Sequence, residues 1–336
     1  MNHVATSPPP RRYYGDLFLT CFAGLLLEIS YTRIFSFKLF YFFTYLVIGM
    51  ALLGLGSSGV FVVVSKRTRQ FPLDRLVALT SLLGAASIAG GYVLIARLPM
   101  DTFALAHSYA EGARLAVLCG TLFVPFFAIG LSISSILGRI PGAVNRLYFA
   151  DLAGAALGCA CAIPLISVLG PPSTALLSGA VLAVVGVREG LKWSWAVVGA
   201  NAIVLLIATA CAFLPAVLPS IVTDRKKPIH SGAPDTPQPL FSKWGPIFRV
   251  DVHDFPPITA WPFRLVFHDG LQGSTLQSFP GDFSALTHFI RTCAPFPSRW
   301  PSLTRKNSSS VRRVGMRSLP GFTLAPAILP ASRLTP

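Results

Sequence analysis

Apolar positions in this chain come in runs of about 20 residues, separated by short stretches that hold Pro, Gly and charge. Seven runs are read, at roughly 17–35, 40–64, 76–96, 115–137, 148–169, 173–190 and 193–216. Each is near the length of helix that a hydrocarbon core requires. Lipid offers the backbone no hydrogen-bond partner, and the runs are too long for barrel strands, so helices are expected. The sixth run is the shortest and follows Gly170-Pro171-Pro172. No small-residue cleavage site follows the first run, which therefore reads as a retained helix and not as a signal peptide.

Beyond the last run the pattern changes. Residues 218–241 are polar and Pro-rich and read as a linker. Arg249-Val250-Asp251-Val252-His253-Asp254 and Phe263-Arg264-Leu265-Val266-Phe267-His268 alternate with period two and predict short strands. Asp269-Gly270 after the second is a tight-turn signal. Residues 289–336 bring Arg, Ser and Pro with no acid and no sustained period, which predicts a disordered basic tail. The expected architecture is mainly α. It has an N-terminal cytoplasmic segment (1–15), a polytopic transmembrane helix bundle of about seven helices (16–217), the linker (218–241), a small β region (242–288) and the tail (289–336).

Composition agrees with a membrane chain: 53% of residues are hydrophobic and 12% charged, against roughly 25% charged in soluble domains. The net charge of +15 is uneven, since residues 291–336 carry eight Lys and Arg and no acid. Seven spans put ten Lys and Arg on the N-terminal side of the bundle and four on the other. The cytoplasm retains the basic side, which leaves residues after 217 outside. Arg225-Lys226-Lys227, directly after the last run, argue the opposite, and that conflict predicts a miscounted span near 17–64 or 148–190. Arginine on a membrane rim accounts for the charge without a specific nucleic-acid partner; the partner expected is the bilayer, with small-residue helix faces that allow a homo-oligomer.

Three ionisable residues fall inside or beside apolar runs: Glu28, Arg33 and Asp151. Groups at such depth cost a few kcal/mol each, about 2.5–3.5 on insertion scales, so they are seldom idle. Two readings stand: an inter-helix ion pair joining Arg33 or Arg146 to Asp151 or Glu28, and a substrate or proton site. Gly54-Leu55-Gly56-Ser57-Ser58-Gly59 fits the dinucleotide pattern, but it lies mid-span instead of between a strand and a helix. Gly54, Gly56 and Gly59, with Gly154 and Gly158 in the fifth span, read as helix-packing positions. Asp251 and His253 share a strand face but no third ligand joins them, so Asp251, His253 and Asp254 read as a solvated strand face and no metal is assigned. Five of six cysteines lie in apolar runs and read as buried small hydrophobes. No zinc-hydrolase, serine-hydrolase or P-loop motif occurs.

Three stretches carry a family resemblance: Leu27-Glu28-Ile29-Ser30-Tyr31-Thr32-Arg33-Ile34-Phe35-Ser36; Leu147-Tyr148-Phe149-Ala150-Asp151-Leu152-Ala153-Gly154 through Gly170; and Lys243-Trp244-Gly245-Pro246-Ile247-Phe248-Arg249 with His268-Asp269-Gly270 and Phe279-Pro280-Gly281-Asp282. Over about residues 15–288 the chain resembles membrane-anchored bacterial spermidine-synthase-like proteins. The resemblance implies a bacterial inner-membrane location and a small β domain ahead of a Rossmann-like transferase domain. It also implies aminopropyl or methyl transfer from S-adenosylmethionine or its decarboxylated form. By that match Gln272 would touch the nucleosyl ligand, with Asp269 and Asp282 the nearby carboxylates. The Gly-rich loop, ribose-binding acid and catalytic Asp implied next are not found, for no Asp or Glu follows Asp282. Catalytic residues and a bound cofactor are therefore not expected in this chain, and the tail from about Phe289 is expected to be out of frame or replaced. Two other functions stay open. One is a small-solute or ion transporter using Glu28, Arg33 and Asp151, and the other a membrane scaffold whose basic tail meets anionic lipid.

Overall fold

The computed structural model describes residues 12–230, 239–254 and 263–277. Its helices are α1 (Arg12–Lys38), α2 (Thr44–Val64), a short α3 (Lys66–Gln70), α4 (Leu73–Arg97), α5 (Tyr109–Arg139), α6 (Val144–Leu169), α7 (Pro171–Gly190) and α8 (Trp195–Phe213). All but α3 are long and apolar enough to cross a membrane, a set of seven that fits a multi-pass membrane protein. The first helix starts at Arg12, before the expected boundary at 16. Serine side chains at Ser65, Ser108 and Ser194 accept backbone N–H groups at the starts of α3, α5 and α8, where the first turn lacks partners.

Helix α1 is the hub, packed on α6, α7, α2 and α5; α2 packs chiefly on α5, and α4 on α5 and α7. The main core gathers Leu27, Tyr31, Ile34 and Phe35 of α1 with Ala85 and Ile88 of α4 and Phe126 of α5. Tyr31 meets Phe35 and Phe126 edge-on, with ring centroids 6.4 Å apart in both pairs. Buried hydroxyls turn back on their own helices: Thr20, Ser30 and Thr80 donate to carbonyls one turn earlier at 2.7–2.8 Å. That satisfies each donor without a partner from lipid.

Helices approach closely where a side chain is missing. A Cβ on Gly154 would collide with the Phe18 carbonyl oxygen, and one on Gly158 would lie 2.7 Å from that of Phe22, so α6 rests directly on the α1 backbone. Gly54 likewise puts α2 against α5, with Phe126 Cβ and Phe127 N each 2.9 Å from an added Cβ. Gly59 meets Ser134 at an ordinary 3.5 Å. Gly56 departs from the sequence reading: it is exposed, and a Cβ added to it would meet nothing within 4 Å.

The segment read as a linker is, over 218–230, an ordered strap across the end of the bundle where α1 and α4 finish. Val222 N–H donates to Ala96 O at 2.8 Å, Asp224 N–H to Lys38 O at 2.7 Å and Arg225 N–H to Met100 O at 3.1 Å. The β region is a four-stranded antiparallel meander: β1 (Phe241–Trp244), β2 (Arg249–Asp254), β3 (Phe263–His268) and β4 (Leu271–Gln277), in that order. Asp269 (φ 50°) and Gly270 (φ 78°) form the two-residue β3–β4 turn, and positive φ at both is what such a hairpin demands. Trp244 of β1 stands edge-on to Phe37 at 5.0 Å between centroids, and 3.2 Å from where a Gly170 Cβ would lie. The tail expected to be disordered lies outside the described residues.

Seven helices are long and apolar enough to span, as counted from sequence, and one of the three cations behind the conflict is not free at the rim. Lys227 is 1% exposed and serves as a cap on α1, while Arg225 and Lys226 remain exposed. Alkaline phosphatase fused after Leu240 should therefore be active, and fused after Gln70 inactive; the reverse pattern would reject this orientation. Gly154→Ala should destabilise the bundle by about 1–3 kcal/mol through overpacking against α1. Gly56→Ala should be neutral or stabilising by up to about 1 kcal/mol. Thermal unfolding in one detergent compares the two.

Candidate functional site

Sequence order scatters Cys21, Glu28 and Asp151, but the bundle brings them to one cavity of about 270 Å³. Helical spacing puts Cys21, Gly24, Leu25 and Glu28 on one face of α1. Leu55 of α2 and Phe126, Ile129, Gly130, Ile133 and Ser134 of α5 form the opposite wall, and Asp151 of α6 closes it. Gly130 is required, since an added Cβ would press into Ser58 and the Leu55 backbone. The cavity is near the small end of ligand pockets.

Within the cavity the two acids differ. Asp151 accepts a hydrogen bond from the Cys21 thiol at 2.6 Å. Glu28 is half-buried and, among the described residues, has no hydrogen-bond or ion-pair partner. The ion pair read from sequence is therefore not formed. Arg33 lies about 7 Å farther along α1 and faces Asp269, with Nη2 3.5 Å from Oδ2. Arg146 is exposed at the start of α6. Cys21 is a buried thiol that orients a carboxylate, more than the small hydrophobe it reads as.

Asp269 sits at a second polar site, between strap, sheet and α1. Its Oδ2 accepts from Ser36 Oγ at 2.9 Å, and its Oδ1 from Arg249 N–H at 2.8 Å. Lys227 Nζ donates to Ser36 O (3.0 Å), Phe37 O (2.6 Å) and Asp269 O (2.6 Å). The first two are carbonyls in the last turn of α1, left without partners by the end of the helix. Lys38 Nζ in turn donates to Leu98 O at 2.6 Å and Val222 O at 3.0 Å. Both carboxylate oxygens of Asp269, the residue read from the resemblance as a carboxylate near the nucleosyl ligand, thus accept hydrogen bonds that hold the sheet on the bundle. Gln272 is exposed on β4 and is not among the residues that line the cavity of Glu28 and Asp151. Asp282 lies outside the described residues.

Two further placements differ from the sequence reading. Asp251 (1% exposed) and His253 (3%) are buried and not solvated. Asp251 accepts from Ser242 Oγ at 2.6 Å and Arg249 Nε at 3.0 Å, and His253 packs edge-on to Phe267. At the opposite rim Asp16 and Glu189, not singled out from sequence, join α1 to α7 through Arg188 (3.2 Å from Asp16) and Arg12 (3.8 Å from Glu189), with Lys192 also 2.6 Å from Glu189. Their signal was available: each acid ends an apolar run within a few residues of arginine. Among the described residues no three His, Cys, Asp or Glu side chains converge as a metal-ligand set.

The chain matches no protein-family model, no curated protein and no solved structure.

Burial lowers the Lys227 pKa from its ordinary value to about 8, against the attraction of Asp269 and then Asp224, which raise it. Between about pH 8 and the ordinary lysine value near 10.4, the undocked state holds more protons than the docked one. Docking of strap and sheet should therefore strengthen as pH rises through that window, by up to about 3 kcal/mol. Hydrogen exchange of β3 and β4 compared with Lys227→Met at each pH cancels the intrinsic rate. The gap between the two proteins should widen with pH, and a constant gap would reject the linkage.

Proposed function

We propose that this chain is the membrane module of a spermidine-synthase-like protein, and that its acid-lined cavity holds a small organic amine. One observation carries the reading: Glu28 and Asp151 line the same cavity, and Glu28 has no cation of its own among the described residues. A carboxylate away from water is stabilised by a paired cation or by a proton. The two arginines that sequence suggested as partners are placed elsewhere, so the pairing charge is assigned to a bound molecule. An ammonium group offers three donors and no acceptor, which suits a site holding Glu28 and the Asp151 oxygen that Cys21 leaves free.

The resemblance supports the same ligand class, since aminopropyl transfer consumes and produces polyamines. It also supports a bacterial cell-membrane location. The adenosyl-sulfonium donor is assigned to no residue of this chain: Asp269 is committed to the rim, and residues 289–336 hold neither acid nor Gly-rich loop. The amine end of the reaction is thus the part this module serves.

Equilibrium binding of radiolabelled spermidine to the detergent-purified chain tests the proposal. Glu28→Gln and Asp151→Asn should each weaken binding roughly ten- to hundredfold, the loss of a charged hydrogen bond worth about 1.5–3 kcal/mol. Asp254→Asn, at an exposed strand end, should bind as the parent does. Absence of binding in folded protein, or equal binding by all variants, would reject the reading. Uptake into proteoliposomes then separates a carried amine from a held one.

A further inference from the structure

The rim opposite the sheet presents a charged surface that the cavity does not use. Helix α3 joins α2 to α4 and is held in place from several sides. Ser65 Oγ accepts the Thr68 N–H at 3.2 Å, and Arg139 at the end of α5 donates to the carbonyls of Thr68 and Phe71. Phe71 packs against the cluster of Val62, Leu76 and Leu131. The side chains left facing outward are Lys66, Arg67 and Arg69, all exposed. None makes an ion pair or side-chain hydrogen bond with another described residue. The nearest acid in sequence, Asp74, accepts from the Arg75 N–H.

Directly before these cations, α2 exposes Val60, Phe61, Val63 and Val64, at 44–72% of their surfaces. An apolar helix face that ends in three cations within one turn matches the boundary between acyl chains and headgroups. We propose that α3 is a binding site for an anionic phospholipid. Its phosphate would be held by Arg67, Arg69 and Lys66, and its chains would lie along the exposed α2 face. Guanidinium groups suit the site because their paired N–H donors match phosphate oxygens. The hydrogen bonds from Ser65 and Arg139 fix the α3 backbone beforehand, so little backbone ordering is left for binding to supply. Charge complementarity selects a headgroup with net negative charge over a zwitterionic one.

Native mass spectrometry of the detergent-purified chain, titrated with phosphatidylglycerol or phosphatidylcholine, tests this. The parent should retain phosphatidylglycerol in preference. Combined substitution K66Q/R67Q/R69Q should lose that retention by tenfold or more, given on the order of fivefold per cation near a membrane surface. R225Q/K226Q, which removes two exposed cations at the opposite rim, should leave it unchanged. Equal loss in both variants would mean that only overall charge matters, and no loss in the triple variant would mean that the lipid sits elsewhere; either overturns the proposal. Displacement by excess inorganic phosphate would show an anion site indifferent to the acyl chains, and would also overturn it. Should the triple variant not fold, R67Q alone is read, with about a fivefold loss expected.

Discussion

Helix α1 carries ionisable groups through the middle of the bundle, and most of the architecture answers that cost. A charge in hydrocarbon must be paired, snorkel to an interface or face a cavity. Along α1 each solution appears in turn. Asp16 meets Arg188 of α7 at one rim. Glu28 faces the cavity beside Asp151, which Cys21 orients. Arg33 reaches the far rim and meets Asp269 of the sheet. The C-terminal carbonyls, which no further turn can satisfy, receive the Lys227 ammonium. Remove α1, and α6, α7, the strap and the sheet each lose a principal attachment.

Association of these helices cannot rest on the hydrophobic effect alone, because lipid tails are as apolar as leucine. Close packing and buried polar contacts must supply it. Gly154 and Gly158 let α6 touch the α1 backbone, and Gly54 does the same for α2 on α5. The hydroxyl pair Thr80–Ser132, at 2.5 Å, adds a polar link between α4 and α5. These pairs leave α2 and α6 on either side of the cavity, each packed chiefly on a different partner. The cavity is the gap between two tight couples, α1–α6 and α2–α5.

How much of this was legible depends on the range over which each feature is encoded. The seven spans announce themselves, since about 20 consecutive apolar residues have few other uses. Strands β2 and β3 fall where alternation put them, at 249–254 and 263–268, and Asp269-Gly270 turns as read. The edge strands were missed. Phe241–Trp244 is only four residues long, and Leu271–Gln277 mixes Gly, Ser, Thr and Gln; both are recruited by pairing with a neighbour. The depth of Glu28 and Asp151 marked them as unusual, but their meeting spans more than 100 residues of chain, and no local pattern encodes it. Arg33 with Asp269 and Lys227 with Ser36 are further cases of the same kind. Asp251 and His253 were misjudged because polarity was taken for exposure, whereas each finds a protein partner in the sheet.

The cavity and the sheet's anchor share one stiff body. Between Glu28 and Lys38, α1 holds neither Gly nor Pro, and helix rise separates Glu28 from Ser36 by about 12 Å. No hinge of the usual kind lies between them. The opposite cavity wall is different: α5 carries Pro125 in its interior, immediately before the wall residues Phe126, Ile129 and Gly130. An interior proline leaves a backbone hydrogen bond unmade and is where a helix bends. The interior proline beside this wall is therefore in α5, while α1 holds the acid and the sheet's anchor on a segment without one. Rigidity in α1 follows from what its far end must do, because the strap grips carbonyls that only an intact last turn presents.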